Sequence, residues 1–316
     1  MKKAVIVGYT GQDGTCLSAL LLGKEYEVTG VASKSTTENK YGILGVDIQR
    51  ISDVENLVKK IQPDEIYYLA AVHQSSADVQ IEEGELFRKS FDVNVKAFIN
   101  FLEAVRMHSP QSKIFYAASS HIFGNPEKSP QDERTPLNPN CIYGITKGAG
   151  IRACYFYREN HNVFVCVGIF YNHESPLRES KYVSKKIVET AVAIKQKKKS
   201  ELILGNLESE IDWGYAPDYM QAVHSMMQLP KPDDFVISSG ERHTIKDFIE
   251  GVFDYLGLDW KKHIKVTPAL ITKKQKRNLF GDNQKIKQDI GWSPSVNFTE
   301  MIKILVDAEM KKDESK

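Results

Sequence analysis

The chain opens on a short, wholly apolar run, Ala4–Val7, that ends at Gly8. Glu27–Val31, Glu65–Ala70, Lys113–Ala118 and Val163–Phe170 are further short runs dominated by apolar residues. Such runs, lacking a regular polar face, belong to strands covered on both sides, as parallel strands are. Between them the period changes. Leu17–Leu22, Asp53–Ile61, Asp92–Met107 and Ile142–Glu159 carry apolar residues at helical spacing, and Pro63 closes the second of these helices. Strand and helix alternate through the first half, which predicts an α/β fold with a doubly wound parallel sheet. After Tyr171 the alternation gives way to charged helices and short strands, the pattern of a smaller C-terminal α/β lobe. The expected division is 1–170 for the sheet domain, its sheet completed by parts of 203–222, and 171–316 mainly for the lobe.

Composition narrows the setting. The 316 residues hold 42 Lys+Arg against 41 Asp+Glu, a formal net charge of +1. A balance so close to neutral offers no field for nucleic acid or an anionic membrane. The Lys195–Lys199 run reads as a solvated helix end. Cys16, Cys141, Cys154 and Cys166 show no CxxC pairing and read as free thiols in a reducing cytoplasm. A strand starts directly after Met1-Lys2-Lys3, which argues against a signal peptide, and no apolar run reaches the ~18 residues of a membrane span. The expected location is cytoplasmic.

Gly8-Tyr-Thr-Gly11-Gln-Asp-Gly14 lies between the first strand and the first helix. Glycines there permit a tight turn and let backbone N–H groups approach a pyrophosphate at the helix N-terminus. The reading is a Rossmann-type, NAD(P)-binding domain, with Gly8, Thr10, Gly11, Gln12, Asp13 and Gly14 as cofactor-binding candidates. An NAD site usually carries an acid at the end of the second strand. Here that region reads Gly30-Val-Ala-Ser-Lys34-Ser35. Ser33, Lys34 and Ser35 suit a 2′-phosphate, which favours NADP over NAD, although Lys34 reads equally well as an exposed loop lysine. Asp47 and Ile48 are placed for the adenine, and Leu69, Ala70 and Ala71 for the length of the cofactor.

Tyr143-Gly-Ile-Thr-Lys147 puts a phenol and an amine on one helix face, one turn apart. A nearby cation is expected to pull the tyrosine down from its ordinary value near ~10 toward the range a general base needs. Ser119 could hold a substrate oxygen beside it. Together these suit removal of a proton from an alcohol as hydride leaves the same carbon.

With Gln62-Pro-Asp-Glu-Ile66, Asn172-His-Glu-Ser-Pro176, Gly205-Asn-Leu207, Asp212-Trp-Gly214, Asp218-Tyr219 and Gly281-Asp282, these motifs resemble the extended short-chain dehydrogenase/reductase family. Within it, the chain is similar to the GDP-mannose 4,6-dehydratase group over nearly its whole length, and the Asn172–Pro176 motif is far more specific than the glycine turn. The resemblance implies a nicotinamide cofactor, a nucleoside-diphosphate sugar (GDP-linked) in the cleft, and a homodimer or homotetramer built through four-helix packing. It also implies a role in making precursors of surface or capsular glycans. By the family's mechanism, Tyr143 takes the O4 proton as hydride leaves C4, Lys147 stabilises the phenolate and holds the cofactor ribose, and Ser119 bonds O4. The C4 ketone acidifies the C5 proton, an acid/base group removes it and helps expel the C6 hydroxyl, and hydride returns at C6.

The sequence departs from that pattern. Where the dehydratases carry a glutamate, the chain has His121, in Ser119-Ser-His-Ile-Phe-Gly124. Neutral imidazole is a competent base near pH 7, so dehydration with His121 is expected. Chemistry confined to C4 stays open: a dehydrogenase, a 4-ketoreductase or an epimerase. A third alternative is a non-catalytic cofactor-binding protein, against which Ser119, Tyr143 and Lys147 argue. A basic pair expected before Asp212 is replaced by Glu210-Ile211, and an Arg-Pro-Thr-Glu segment by Thr272-Lys-Lys-Gln275 with Arg277 behind it. This suggests a rearranged diphosphate clamp. His73, Ser120, Asn172, Arg178, Lys186 and Arg277 are the substrate-binding candidates, and Gln74 stands where a histidine is usual. Val183–Ile187 could supply phosphate contacts, but Lys185 and Lys186 read nearly as well as surface lysines. His161, His224 and His243 have no partners at metal spacing, Trp213 reads as a packing anchor, and Tyr155 and Tyr157 read as an oligomer face or core. No metal is expected.

Overall fold

The computed structural model describes residues 1–32, 46–74, 78, 81–267 and 279–314. In chain order the strands are β1 (Lys3–Val7), β2 (Glu27–Val31), β3 (Glu65–Tyr68), β4 (Lys113–Ser119), β5 (Val165–Phe170), β6 (Asn172–Glu174), β7 (Leu202–Leu204), β8 (Glu210–Ile211), β9 (Trp213–Tyr215), β10 (Asp234–Ile237), β11 (His243–Thr244) and β12 (Ile264–Val266). The helices are α1 (Gln12–Gly23), α2 (Ile51–Ile61), α3 (Glu83–Phe91), α4 (Phe98–His108), α5 (Ile142–His161), α6 (Val183–Lys195), α7 (Ala216–Met227), α8 (Ile245–Tyr255), α9 (Gln284–Ile290) and α10 (Phe298–Glu314).

Among the described residues the main sheet runs β2-β1-β3-β4-β5-β10, and every pairing in it is parallel. One face is covered by a core containing Val54, Phe98, Phe101, Tyr116 and Ile151. The other is covered by Leu17, Leu21, Tyr219, Met226 and Phe235. The apolar runs are therefore buried on both sides, as their lack of alternation predicted. Strand order reverses beside β1, with β2 on one flank and β3 on the other. The crevice at the carboxyl ends there is where doubly wound folds bind ligands.

The sheet is not completed from 203–222, as expected from sequence, but by β10. The 203–222 segment breaks at Asp212 into short lobe strands and then turns helical at Ala216-Pro217, proline being at home in a first helical turn. Its helix, α7, buries Tyr219, Met220, Val223, Met226 and Met227 against the sheet instead. A third core, with Trp213, Phe248, Phe253, Ile302 and Val306, holds the smaller lobe together. Truncating such buried side chains to alanine typically costs about 2–5 kcal/mol.

The helix expected from Asp92 begins earlier. Glu82 caps α3 by accepting Gly84 and Glu85 N–H groups, each at 2.9 Å. A π-helical turn over Asp92–Ala97 then joins α3 to α4. Such turns recur at functional sites.

Candidate active site

The glycine turn has the shape a dinucleotide requires. Gly8 has φ +91°, and a Cβ there would meet Ala70 N at 2.8 Å. A Cβ on Gly14 would lie 2.3 Å from Gly8 O, so the first turn of α1 packs directly on the turn. Gly11, the N-cap of α1, supplies no capping side chain, and a Cβ there would meet only Gly8 O, at 3.4 Å. The leading N–H groups of α1 thus carry no side-chain cap among the described residues, as a helix end that binds a pyrophosphate requires. Thr10 is exposed beside it. Leu69 is held to β1 by its N–H bond to Val7 O (2.9 Å), with Ala70 and Ala71 next along. Asp47 is exposed ahead of α2, and Ile48 O accepts from Asn100 Nδ2 at 2.9 Å.

Gln12 and Asp13 turn their side chains toward β6. Gln12 Nε2 donates to His173 O (3.0 Å), Gln12 Oε1 accepts from Ser175 Oγ (2.9 Å), and Asp13 Oδ1 pairs with His173 Nε2 (3.0 Å). Burial opposes charge on Asp13, yet His173 holds its carboxyl below the usual range. Burial likewise opposes charge on His173, yet Asp13 raises it above the ordinary histidine value.

Ser119 ends β4, and its hydroxyl accepts the His121 N–H at 3.3 Å to start a 3₁₀ turn, Ser120–Phe123. Ser120 itself is buried. Cys141 caps α5, its sulfur accepting the Gly144 N–H at 3.4 Å. A Cβ on Gly144 would sit 2.4 Å from His121 O, so the turn and the start of α5 are in close contact.

Tyr143 and Lys147 share a face of α5, with Lys147 Nζ 5.7 Å from the Tyr143 ring centre. The expected electrostatic consequence is reversed. Burial dominates at Tyr143 and pushes its phenol above its ordinary value. Burial also pushes Lys147 down to about 7. The amine donates to Ala117 O at 2.7 Å, and among the described residues no carboxylate is ion-paired with it.

Two rings stand against Tyr143. His73 stands edge-on to it at 4.7 Å between centres, and His121 edge-on at 5.7 Å. Tyr182 stacks parallel to His73 at 6.2 Å, its hydroxyl 3.4 Å from His73 Nδ1. Arg178 lies over the Tyr182 ring at 3.7 Å and pairs with Glu174 at 3.0 Å. Burial, then Arg178 and Lys181, push His73 down to about 4, so it is neutral at pH 7. His121 Nδ1 faces Cys141 Sγ at 3.6 Å.

Asn172 and Lys186, two further expected substrate residues, are both exposed. Asn172 is exposed at the start of β6, opposite Trp213. Lys186 is exposed and donates to Ile203 O at 3.2 Å. Lys185 is not a surface lysine: it is 4 % exposed and pairs with Glu309 of α10 at 2.5 Å. Ser33, Lys34, Ser35, Ser75, Ser76, Thr272–Gln275 and Arg277 lie outside the described residues. Among those described, no three His, Cys, Asp or Glu side chains converge to hold a metal. Trp213 packs in the lobe core against Phe248 and Phe298.

Sequence reasoning missed Asn94, Cys141 and Tyr182. Asn94, fully buried in the π-helical turn, accepts Val72 N–H (2.8 Å) and donates to Val72 O (3.2 Å) and Thr146 Oγ1 (2.9 Å). It ties the loop after β3 to α5. Its signal was present, because it falls on the apolar stripe with Phe98, Phe101 and Val105. Tyr182 carried no local signal, since its partners are distant in sequence.

A phenol and an amine one helical turn apart, beside a serine at a strand end and facing a dinucleotide turn, are the equipment of a short-chain dehydrogenase/reductase. More narrowly, the chain belongs to the GDP-mannose 4,6 dehydratase family, whose sequence model matches residues 5–305. It is 37% identical over 331 residues to GDP-mannose 4,6 dehydratase 2 of Arabidopsis thaliana, covering 98% of this chain and 87% of that protein. Two solved structures share its fold. RMD from Pseudomonas aeruginosa, complexed with NADPH, superposes with TM-score 0.81 at 17% identity, over 99% of this chain and 100% of that one. A dTDP-glucose 4,6-dehydratase from Bacillus anthracis, in complex with NAD, gives 0.84 at 19%, over 99% and 98%.

Proposed function

We propose that the chain is an NAD(P)-dependent nucleotide-sugar 4,6-dehydratase for a GDP-hexose of the mannose type, with His121 in place of the elimination carboxylate. The supporting observation is the position of His121: on the turn that Ser119 caps, its ring 5.7 Å from that of Tyr143. One acid/base group therefore stands beside the group that opens the reaction.

The backbone of the glycine turn and α1 would hold the cofactor's pyrophosphate, and Leu69–Ala71 its length. The nicotinamide supplies a hydride acceptor at C4 and a donor at C6. Ser119 donates to the sugar O4 and fixes it beside Tyr143, which takes the O4 proton as C4 is oxidised. Lys147, protonated in the loaded site, stabilises the phenolate and holds the ribose. The C4 ketone then acidifies the C5 proton. His121 takes that proton, its imidazolium gives one to O6, and water leaves with the C6–O bond electrons as the C5–C6 double bond forms. Proton catalysis of this kind contributes about 10²–10⁴-fold. Neutral His73 and the Arg178–Tyr182 stack line the sugar side.

Incubation with GDP-mannose and related GDP-hexoses, followed by mass spectrometry, tests this. A product lighter by one water supports it. A second reading, chemistry confined to C4, needs only Ser119, Tyr143 and Lys147 and leaves His121 as a polar substrate contact. It would give a 4-keto or C4-inverted sugar that keeps its C6 oxygen.

The proposed protein is a cytoplasmic homodimer or homotetramer. No helix among the described residues is long and apolar enough to cross a membrane. Phe87 and Phe91 of α3 and Ile145 and Phe156 of α5 are exposed on helices that contact each other, a surface suited to helix packing between copies. Light scattering of the purified chain would test it, a monomer at micromolar concentration contradicting it.

A further inference from the structure

Asn172 opens the Asn172–Pro176 motif as a substrate candidate, whereas the buried histidine beside it faces the first turn of α1. His173 Nδ1 lies 2.7 Å from Tyr171 O, and His173 Nε2 lies 3.0 Å from Asp13 Oδ1. A carbonyl oxygen can only accept, and so can an ionised carboxylate. With Asp13 ionised, both ring nitrogens donate and His173 is an imidazolium, in line with the lowered carboxyl and raised imidazole of the pair. The ring is wedged between Phe170 (5.0 Å) and Tyr219 (4.9 Å), which fixes its plane. Gln12 closes the clasp on either side, through His173 O and Ser175 Oγ.

Asp13 sits in the first turn of α1, the turn whose free N–H groups fit a pyrophosphate. An uncompensated carboxylate there would repel the phosphates that the helix end attracts. We propose that His173 is a positioning residue for the cofactor: its buried imidazolium neutralises Asp13 and locks the glycine turn in the pyrophosphate-binding shape. This rests on the reading of the turn as a dinucleotide site. The motif thereby acts in two directions, because Glu174, the next residue on β6, pairs with Arg178 on the substrate side.

The test is the affinity of the purified chain for NADP⁺ and NAD⁺, measured by calorimetry. His173→Gln keeps an amide donor but loses the charge, and should weaken binding about tenfold or more. Asp13→Asn/His173→Gln, which removes both charges and leaves an amide pair, should bind about tenfold tighter than His173→Gln alone. Rescue by removing both charges is what a merely structural histidine would not give. A His173→Gln protein that binds like wild type overturns the proposal, as does a double variant no tighter than His173→Gln. Should His173→Gln not fold, Asp13→Asn/His173→Gln decides: affinity within about threefold of wild type supports the proposal, and a loss above about tenfold overturns it. Wild-type protein that binds neither dinucleotide would overturn the reading of the turn, and this inference with it.

Discussion

Cys141 Sγ lies 3.6 Å from His121 Nδ1 while accepting the Gly144 N–H at 3.4 Å. The residue that caps α5 therefore also holds the His121 imidazole. With the backbone N–H directed at the sulfur, the thiol hydrogen is available to the ring at Nδ1. Cys141→Ala should slow elimination about ten- to a hundredfold through misorientation of His121. Cofactor affinity should be unchanged and Cys141→Ser should retain most activity. Product formation and calorimetric binding check this in parallel.

The glycine turn makes a sharp contrast between two alanines. Gly14→Ala would drive a Cβ into backbone, 2.3 Å from Gly8 O and 2.4 Å from Tyr9 Cα, and should prevent correct folding. Gly11→Ala meets only Gly8 O at 3.4 Å, so the protein should fold with a near-normal melting temperature. Its methyl would occupy the space of the pyrophosphate and abolish cofactor binding. Melting curves with and without NADP⁺ separate the two, and Gly11→Ala should lose the cofactor-induced stabilisation that wild type gains.

Lys147 carries a pH dependence of known sign in the cofactor-free protein. Its folded value is lowered to about 7 by burial. Below that pH it is charged in both states. Between that pH and the ordinary lysine range the unfolded chain binds a proton that the folded chain does not, so stability rises with pH by about 1.4 kcal/mol per unit. Lys147→Met removes this contribution. Urea unfolding of both proteins at pH 7, 8 and 9 should show the wild-type stability gaining on the variant as pH rises; a constant difference would contradict the assignment.

The sheet was legible wherever apolar residues dominated a strand, and β2, although it carries Glu27 and Thr29, matches its expected bounds residue for residue. The sixth strand was not, because Asp234–Ile237 follows Pro230–Asp233 and looks like one more short lobe strand. The start of α3 was hidden because Glu83–Phe91 is charged and leaves Phe87 and Phe91 exposed. Within the site, spacing correctly put Tyr143 and Lys147 on one face. It could not say that the amine would bond Ala117 O, nor that burial would set both ionisations. The His173–Asp13 clasp joins residues separated by 160 positions, which no local pattern records.

The reaction of wild-type protein with GDP-mannose and NADP⁺ in deuterated water, followed by NMR, bears most directly on His121. The account predicts a 4-keto-6-deoxy sugar with deuterium at C5. His121→Ala should slow its formation by about 10²–10⁴-fold without loss of cofactor binding. A 4-keto or C4-inverted product that retains the C6 hydroxyl would contradict dehydration by His121 and confine the chemistry to C4.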